Sequence, residues 1–256
     1  MPPVQVIVGS NSSANLVEFF SSIQGEGLLI GKRQAFLRFS GCNLECSYCD
    51  TMHESPEFCA IEMNPGSRDF AKVSNPVFLD SILDRLSVWK KQWPLLHHSL
   101  SITGGEPLLH APVLQNWLPT LRSILPIFLE TNGLLTKQLC DIINHVDMIS
   151  MDIKIPSTSG HSDLWKLHTE FLRTAISKHC YVKIVVGIET TKDEIIKASR
   201  LIAEIKHDTP LIIQPVTIQL MHPEIGAHLL LLQQTASMFL EDVRVIPQTH
   251  SVLRVL

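Results

Sequence analysis

Short β-rich runs alternate with amphipathic helical stretches along most of this chain, and that rhythm restricts its fold more than any other property of the sequence. The runs are Ala35 to Phe39, Ser99 to Thr103, Ile127 to Thr131, Met148 to Ile153, Tyr181 to Val186, Leu211 to Pro215 and Val243 to Ile246. Between them, apolar residues recur at three-and-four spacing over Phe78 to Trp93, Pro112 to Ile124, Thr136 to His145, Leu164 to Lys178, Lys192 to Lys206 and Glu224 to Leu240. Strands separated by helices of this length are joined by right-handed βαβ crossovers, which lay the strands parallel in one sheet. The expected class is therefore α/β: a partial, open (βα)6-type barrel with a seventh, C-terminal strand. Periodicity alone leaves a doubly wound sheet open as well. At 256 residues and 45% hydrophobic, the chain is long enough to bury one large core, which predicts a single domain over residues 1–256.

One stretch breaks the rhythm. Met52 to Pro76 carries Pro56, Pro65, Gly66 and Pro76 with no sustained period. It reads as an irregular insertion, residues 52–76, and a lid, a partner-contact surface and a plain surface loop all fit it.

Composition excludes several classes of function. The 21 Lys and Arg residues are scattered without a basic run and the net charge is -4, which argues against a nucleic-acid footprint. No apolar run has the length of a membrane span, and Gly9 to Ser13 interrupts the N-terminal segment where a secretion signal would need an apolar block. Cys59, Cys140 and Cys180 form no pattern, so the six cysteines make no disulfide framework and suit a reducing compartment. The expectation is a soluble, unsecreted, cytoplasmic protein.

The other three cysteines do form a pattern, Cys42-Asn43-Leu44-Glu45-Cys46-Ser47-Tyr48-Cys49, a CxxxCxxC run. Buried core thiols would need no such spacing in a polar loop opened by Gly41. A closed zinc site needs a fourth ligand, for which Cys59 or His53 would have to serve. A cubane iron–sulfur cluster is usually held by four thiolates. Three leave one iron open to another ligand.

In a parallel barrel, ligands are held at the carboxyl ends of the strands. Here the cysteine loop follows the first run, Thr103-Gly104-Gly105-Glu106-Pro107 the second, and Glu130-Thr131-Asn132-Gly133 the third. Ser150, Asp152 and Lys154 alternate at the fourth and so share one face, and Gln214-Pro215 ends the sixth. Glycines at 104 and 105 let the backbone approach a ligand, and Glu106 suits an ammonium group. Taken singly, Asp152 and Lys154 are also explained as a simple ion pair, and Glu130 and Asn132 as turn residues.

The cysteine motif and the aromatic residue before its last cysteine resemble the radical S-adenosylmethionine (SAM) superfamily, in which SAM fills the open iron site. A narrower resemblance rests on Phe19 to Gly27 (FFSSIQGEG), Phe36 to Asn43 (FLRFSGCN), Cys49-Asp50-Thr51, Ser101 to Leu108 (SITGGEPL) and Val245 to His250 (VIPQTH). These blocks are similar to the 7-carboxy-7-deazaguanine synthase family. The resemblance implies a carbon–nitrogen lyase that converts 6-carboxy-5,6,7,8-tetrahydropterin to 7-carboxy-7-deazaguanine with ring contraction and loss of ammonia, on the route to queuosine and other 7-deazapurines. It implies a 4Fe-4S cluster, SAM as the source of a 5'-deoxyadenosyl radical, and Mg2+. It also implies an electron donor such as flavodoxin or ferredoxin, and a homodimer.

Carried over by position, Cys42, Cys46 and Cys49 ligate the cluster and Thr51 the Mg2+ ion. Tyr48, Asp50, Gly105, Glu106, Ser150, Lys154 and Gln214 form the SAM pocket, while Ile23, Gln24, Gly25, Glu26, Arg38, Thr103 and His250 hold the pterin. The apolar end Ser251 to Leu256 is expected to fold back so that the Leu256 carboxylate meets the donor-rich edge of the pterin; the alternative is that Leu253 and Leu256 only fill an apolar gap. Strand four reads Ser-Met-Asp-Ile-Lys where some members have Ser-Pro-Lys, Thr217 stands where some have an acidic residue, and 52–76 has no aligned counterpart. The alternatives kept are a glycyl-radical-enzyme activase and a non-enzymatic zinc or iron–sulfur binding module.

Overall fold

The computed structural model describes residues 12–49, 54–162 and 164–256. Its N-terminal portion contains β1 (Ser13–Ala14), β2 (Leu16–Ile23), β3 (Arg33–Phe39), β4 (Phe58–Glu62), β5 (Phe70–Ser74) and β6 (Val77–Phe78). Then follow α1 (Leu79–Gln92), β7 (Ser99–Gly104), α2 (Ala111–Arg122), β8 (Ile127–Thr131), α3 (Thr136–Ile142) and β9 (Met148–Asp152). The C-terminal portion runs through α4 (Pro156–Ser159), α5 (Trp165–Ala175), β10 (His179–Val186), α6 (Lys192–Lys206), β11 (Leu211–Pro215), α7 (Ile225–Ala236), β12 (Val243–Val245) and α8 (Thr249–Leu253).

The main sheet has the order β12-β11-β10-β9-β8-β7-β3-β2-β4-β5, and its two outer strands do not pair with each other, so the barrel is open. From β3 to β12 every neighbouring pair is parallel. These are the seven strands expected from the βα rhythm, each within a few residues of its expected limits. They form because both faces are covered: Leu100, Ile102, Ile127, Leu129, Ile149, Val182, Ile184, Leu211 and Ile213 are buried against the helices, and Ser101, Phe128, Ser150, Tyr181 and Ile212 on the lumen side. The helices supply matching apolar stripes, such as Ile82, Leu86 and Trp89 on α1 and Ile195, Ala198 and Ile202 on α6. A reciprocal capping box between Thr191 and Glu194 starts α6. Among the described residues no helix is long and apolar enough to cross a membrane.

The N-terminal side corrects the sequence reading. The insertion expected at residues 52–76 is not irregular throughout its described part: β4 and β5 make an antiparallel hairpin, with Phe58 opposite Ser74 and Glu62 opposite Phe70. The hairpin extends the sheet because β4 lies parallel to β2 through Glu18–Ala60 and Phe19–Ile61. Cys59 and Ile61 are buried on it, but five residues ending in a buried glutamate give too short an alternation to be recognised. Strand β2, antiparallel to β3, is likewise absent from the expected runs. Its adjacent Phe19 and Phe20 are both buried, on opposite faces, so it shows no apolar-polar alternation. Phe19 stacks on Trp89 of α1 at 4.8 Å, and Phe20 stacks on Phe36 at 5.1 Å.

Being antiparallel, β2 leaves the sheet beside the start of β3, where Ile23 pairs with Arg33. The chain then crosses the lumen. Leu28 and Leu29 pack with Phe128, Tyr181 and Ile212, all near the starts of parallel strands, and so close the end opposite the cysteine loop.

Candidate active site

A pocket of about 360 Å³ fills the lumen between that floor and the loops at the carboxyl ends of the strands. Cys42, Cys46, Tyr48 and Cys49 line it from the loop after β3, and Thr103, Gly104 and Gly105 from the end of β7. Asn132, Ser150, Lys154 and Gln214 line it from β8, β9 and β11 or their following loops. Ile23, Gln24, Gly25, Glu26, Arg38, His250 and Leu256 also face it, so one cavity brings together nearly all the residues expected from the sequence. Asp50 and Thr51 lie outside the described residues, as does His53.

The glycine pair sets the cysteine loop in place. Gly104 has φ +138°, and a Cβ there would sit 2.1 Å from the Phe39 carbonyl oxygen. A Cβ at Gly105 would meet the Gly41 oxygen at 2.2 Å, so only glycine lets the two loops touch. The Glu106 amide donates to that Gly41 oxygen at 2.9 Å.

Glu106 itself is placed differently from the other expected residues. It is fully buried and does not line the cavity. Its carboxylate accepts from the Leu108 amide at 3.0 Å, the Asn132 amide at 2.7 Å and the Thr131 hydroxyl at 2.9 Å, tying the loops after β7 and β8 together. Burial pushes its pKa up to about 7 against the opposing effect of these donors.

Asn132 reaches the cysteine loop, donating to Asn43 Oδ1 at 2.8 Å and lying 4.0 Å from Cys42 Sγ. On the other side Ser47 donates to the Thr158 carbonyl of α4. Burial raises the Cys42 and Cys46 thiols, with Lys154 opposing it, so an iron cluster would have to displace their protons.

The donor set suits the implied groups. Three thiolates on one loop are soft ligands for iron–sulfur chemistry. Two buried acceptors, Asn132 Oδ1 and Gln214 Oε1, have no hydrogen-bond partner among the described residues and belong to cavity-lining residues. A ligand with donors of its own, as the amines and ribose of SAM provide, satisfies them. Among the described residues no three His, Cys, Asp or Glu side chains converge on a position for a single metal ion. Cys59 is fully buried on β4, which argues against it as the fourth ligand of the zinc alternative; His53, the other residue that reading named, lies outside the described residues.

A chain of charged groups crosses the pocket wall. Lys154 Nζ donates to Tyr48 Oη at 3.0 Å and to Asp152 Oδ2 at 2.8 Å. Lys183 Nζ lies 3.4 Å from Asp152 Oδ1 and also donates to Glu26 Oε2. Gln248 Nε2 donates to Glu26 Oε1 at 2.8 Å, and the Gln248 oxygen accepts from Thr217. Burial is the largest influence and works to raise the Glu26 pKa, but Lys183, Gln248 and His250 together outweigh it and hold the carboxyl down to about 2. Glu130 is shifted the other way by burial and by the Glu26 charge.

The remaining substrate-block residues are fixed by packing. Gly25 is pressed against His250, whose Nδ1 would lie 2.2 Å from a Cβ, and the Gly25 carbonyl accepts from the Thr249 amide at 3.0 Å. Gln24 Nε2 donates to Gln34 Oε1 at 2.9 Å and to Glu130 at 3.2 Å. Arg38 donates through Nε to Glu18 at 2.7 Å, with its guanidinium 5.8 Å from the Phe20 ring centroid. The Leu256 main-chain oxygen accepts from Ser22 Oγ at 2.6 Å.

Lys183, Phe20 and Phe36 line the site and were missed from the sequence. Lys183 had a signal: it is the sole charge in Tyr181-Val182-Lys183-Ile184-Val185-Val186, an otherwise uncharged run that reads as a buried parallel strand.

The sequence profile of the Radical SAM superfamily matches residues 37–202, the span that holds the cysteine loop and the parallel strands as far as β10. The chain is a radical SAM protein. A 7-carboxy-7-deazaguanine synthase of Geobacter sulfurreducens is 52% identical over 94% of this chain and 97% of that relative. Another, of Methanothermobacter thermautotrophicus, is 36% identical over 94% of this chain and 97% of its own length. The chain belongs to the 7-carboxy-7-deazaguanine synthase family. The crystal structure of QueE from Escherichia coli shares the fold with a TM-score of 0.56 at 19% identity, covering 93% of this chain and 95% of that one. Streptococcus suis SuiB, solved bound to S-adenosylmethionine, aligns at 0.53 with 16% identity over 80% of this chain and 45% of its own.

Proposed function

We propose that the pocket is the reaction chamber in which 6-carboxy-5,6,7,8-tetrahydropterin becomes 7-carboxy-7-deazaguanine, with contraction of its ring and loss of ammonia. The observation that carries this reading is that the Gln24-Gly25-Glu26 turn, docked on His250 and Gln248, shares one cavity with the three motif cysteines. The relatives' names point the same way and do not favour a glycyl-radical-enzyme activase.

Cys42, Cys46 and Cys49 would hold the cluster, and Tyr48, Asp50, Gly105, Ser150, Lys154 and Gln214 the SAM. When bound, these groups supply the radical that takes a hydrogen atom from the substrate. The protein's own part is to bind, orient and shield. Asn132 and Gln214 offer their unmet acceptors to SAM donors, and the Lys154 ammonium offers its charge to the SAM carboxylate. Glu106 keeps two loops in register from behind.

At the other end of the pocket, the ionised Glu26 and the Gln24 amide suit the donor and acceptor edge of the pterin. Arg38 suits its carboxylate, while Ile23, Thr103, His250 and Leu256 complete the wall. Phe20 and Phe36 give an apolar shelf that excludes water. Mg2+ held in part by Thr51, an external electron donor such as flavodoxin or ferredoxin, a homodimer, a single domain over residues 1–256 and a cytoplasmic location belong to the same reading.

The test is anaerobic incubation of the reconstituted protein with reductant, SAM and the carboxytetrahydropterin, followed by mass detection. Appearance of the deazaguanine is expected. SAM cleavage with the pterin left intact would sink the substrate assignment.

A further inference from the structure

Lys183 faces the pocket yet has no part in the family resemblance. It stands on β10 directly beside Asp152 on β9, the two strands pairing in register at these residues. Its flanking Val182 and Ile184 are fully buried on the opposite face. A desolvated ion-pair network adds little to stability compared with apolar side chains of the same volume, so stability does not account for a lysine here. What distinguishes it is position: it touches both Glu26, on the turn that closes the lumen, and Asp152, which is bound in turn to Lys154 beside Tyr48.

We propose that Lys183 is a positioning residue for the reaction, bridging Asp152 to Glu26 so that the Glu26 carboxylate is held ionised and aimed at the substrate while remaining tied to the wall that faces SAM. The inference rests on the substrate reading above and deepens it. Lys183 is the direct cationic partner of Glu26 in the lumen. The other groups that act on or lie around Glu26 are Glu130 on β8, Asp152 on β9, Tyr181 on β10 and His250 on α8, with Arg38 on β3 acting on Glu130. Removing the lysine takes away the cation that acts on both Glu26 and Glu130 and leaves two coupled buried carboxyls that share a proton near neutral pH. With that proton shared, Glu26 loses acceptor capacity toward a donor-rich pterin edge.

The experiment measures KM and kcat for the carboxytetrahydropterin from pH 6 to 9, using the reconstituted enzyme and Lys183→Met, Lys183→Arg and the double variant Lys183→Met with Glu26→Gln. In Lys183→Met, KM should rise about tenfold at pH 7 and fall again as pH increases and the carboxyl pair loses its shared proton. Lys183→Arg should stay within about threefold of the parent with no new pH dependence. The double variant should bind weakly at every pH. A Lys183→Met enzyme with the parent's KM across the range overturns the proposal, as does an arginine variant that behaves like the methionine one. If Lys183→Met does not fold, Lys183→Gln takes its place with the same expectations. Failure of the parent enzyme to make any deazaguanine would instead overturn the substrate reading itself, so the two failures are distinguishable.

Discussion

The two wings of the sheet meet at β3 and serve the pocket in different ways. From β3 to β12 all strands run in one direction, and their carboxyl ends deliver the cysteine loop, the Gly-Gly-Glu turn, Asn132, Lys154 and Gln214 to one mouth. From β3 to β5 the neighbours are antiparallel, parallel and antiparallel in turn. Strand β2 therefore brings Gln24, Gly25 and Glu26 in from the other side, and the hairpin beyond it reaches no part of the lumen. The parallel wing presents the groups that fit cofactors, while the antiparallel wing presents the floor and its supports. On this division, damage to the first wing should remove the chemistry or cost substantial stability or binding, whereas damage to the outermost hairpin should only loosen substrate binding slightly.

The largest effect is expected at the cysteine loop. Cys46→Ala should lose the cluster and all SAM cleavage, because Cys59 is locked in the core on β4 and cannot move in as a replacement. Iron and sulfide content after anaerobic reconstitution checks this. Four irons per chain with ordinary turnover would remove Cys46 from the ligand set.

A second effect tests the scaffold behind the same wing. His168, fully buried on α5, accepts from the Lys154 amide through Nε2 at 3.1 Å. An amide can only donate, so the proton sits on Nδ1 and is given to the Gly133 carbonyl at 3.2 Å. His168→Ala leaves both backbone groups unpaired, at a cost of roughly 2–4 kcal/mol and a Tm lower by roughly 5–10 °C. Burial holds the imidazole down to about 4, below its ordinary 6.5. The unfolded chain thus binds the extra proton first. This contribution to stability is complete above about pH 6.5 and is lost as pH falls toward 4. The alanine variant should show a shallower acid slope than the parent in thermal melts between those values, and identical slopes would mean that His168 is not the neutral bridge described.

The parallel wing was also the legible one. Strands such as Ile127 to Thr131 are buried on both faces and separated by helices with clear apolar stripes, so their order and their polar ends could be read directly. The cysteine spacing and the Gly-Gly-Glu turn are local in sequence, and so they too were visible. Lys183 escaped because its partners, Glu26 on the turn after β2 and Asp152 on β9, are distant in sequence, and a lone lysine does not announce them. Glu106 was found, but its role as an acceptor for two loops depends on where Thr131 and Asn132 end up. β2 and the hairpin owe their existence to tertiary pairing, with Phe19 against Trp89 and Asn75 bonded to both the amide and the carbonyl of Leu16, and no local period encodes that.

The smallest expected effect concerns the hairpin turn. Arg68, between β4 and β5, has a left-handed backbone with φ 60°, and its amide donates to Glu62 Oε1 at 2.9 Å. The other oxygen of that buried carboxylate accepts from the Ser21 amide at 2.9 Å, so the turn is fixed to β2. From there Arg68 Nη2 donates to the Arg254 carbonyl at 2.5 Å, two residues before Leu256 of the pocket wall. The contact is exposed to solvent, and its loss should cost no more than about 1 kcal/mol. Arg68→Ala is therefore expected to raise KM for the carboxytetrahydropterin about two- to fivefold while kcat stays near the parent's, with Arg68→Lys in between. Hydrogen exchange supplies the independent check. The Val255 amide, bonded to the His250 carbonyl at 3.2 Å, should exchange faster in the alanine variant. Unchanged protection there, together with an unchanged KM, would mean that the hairpin does not support the pocket and that the two wings are independent after all.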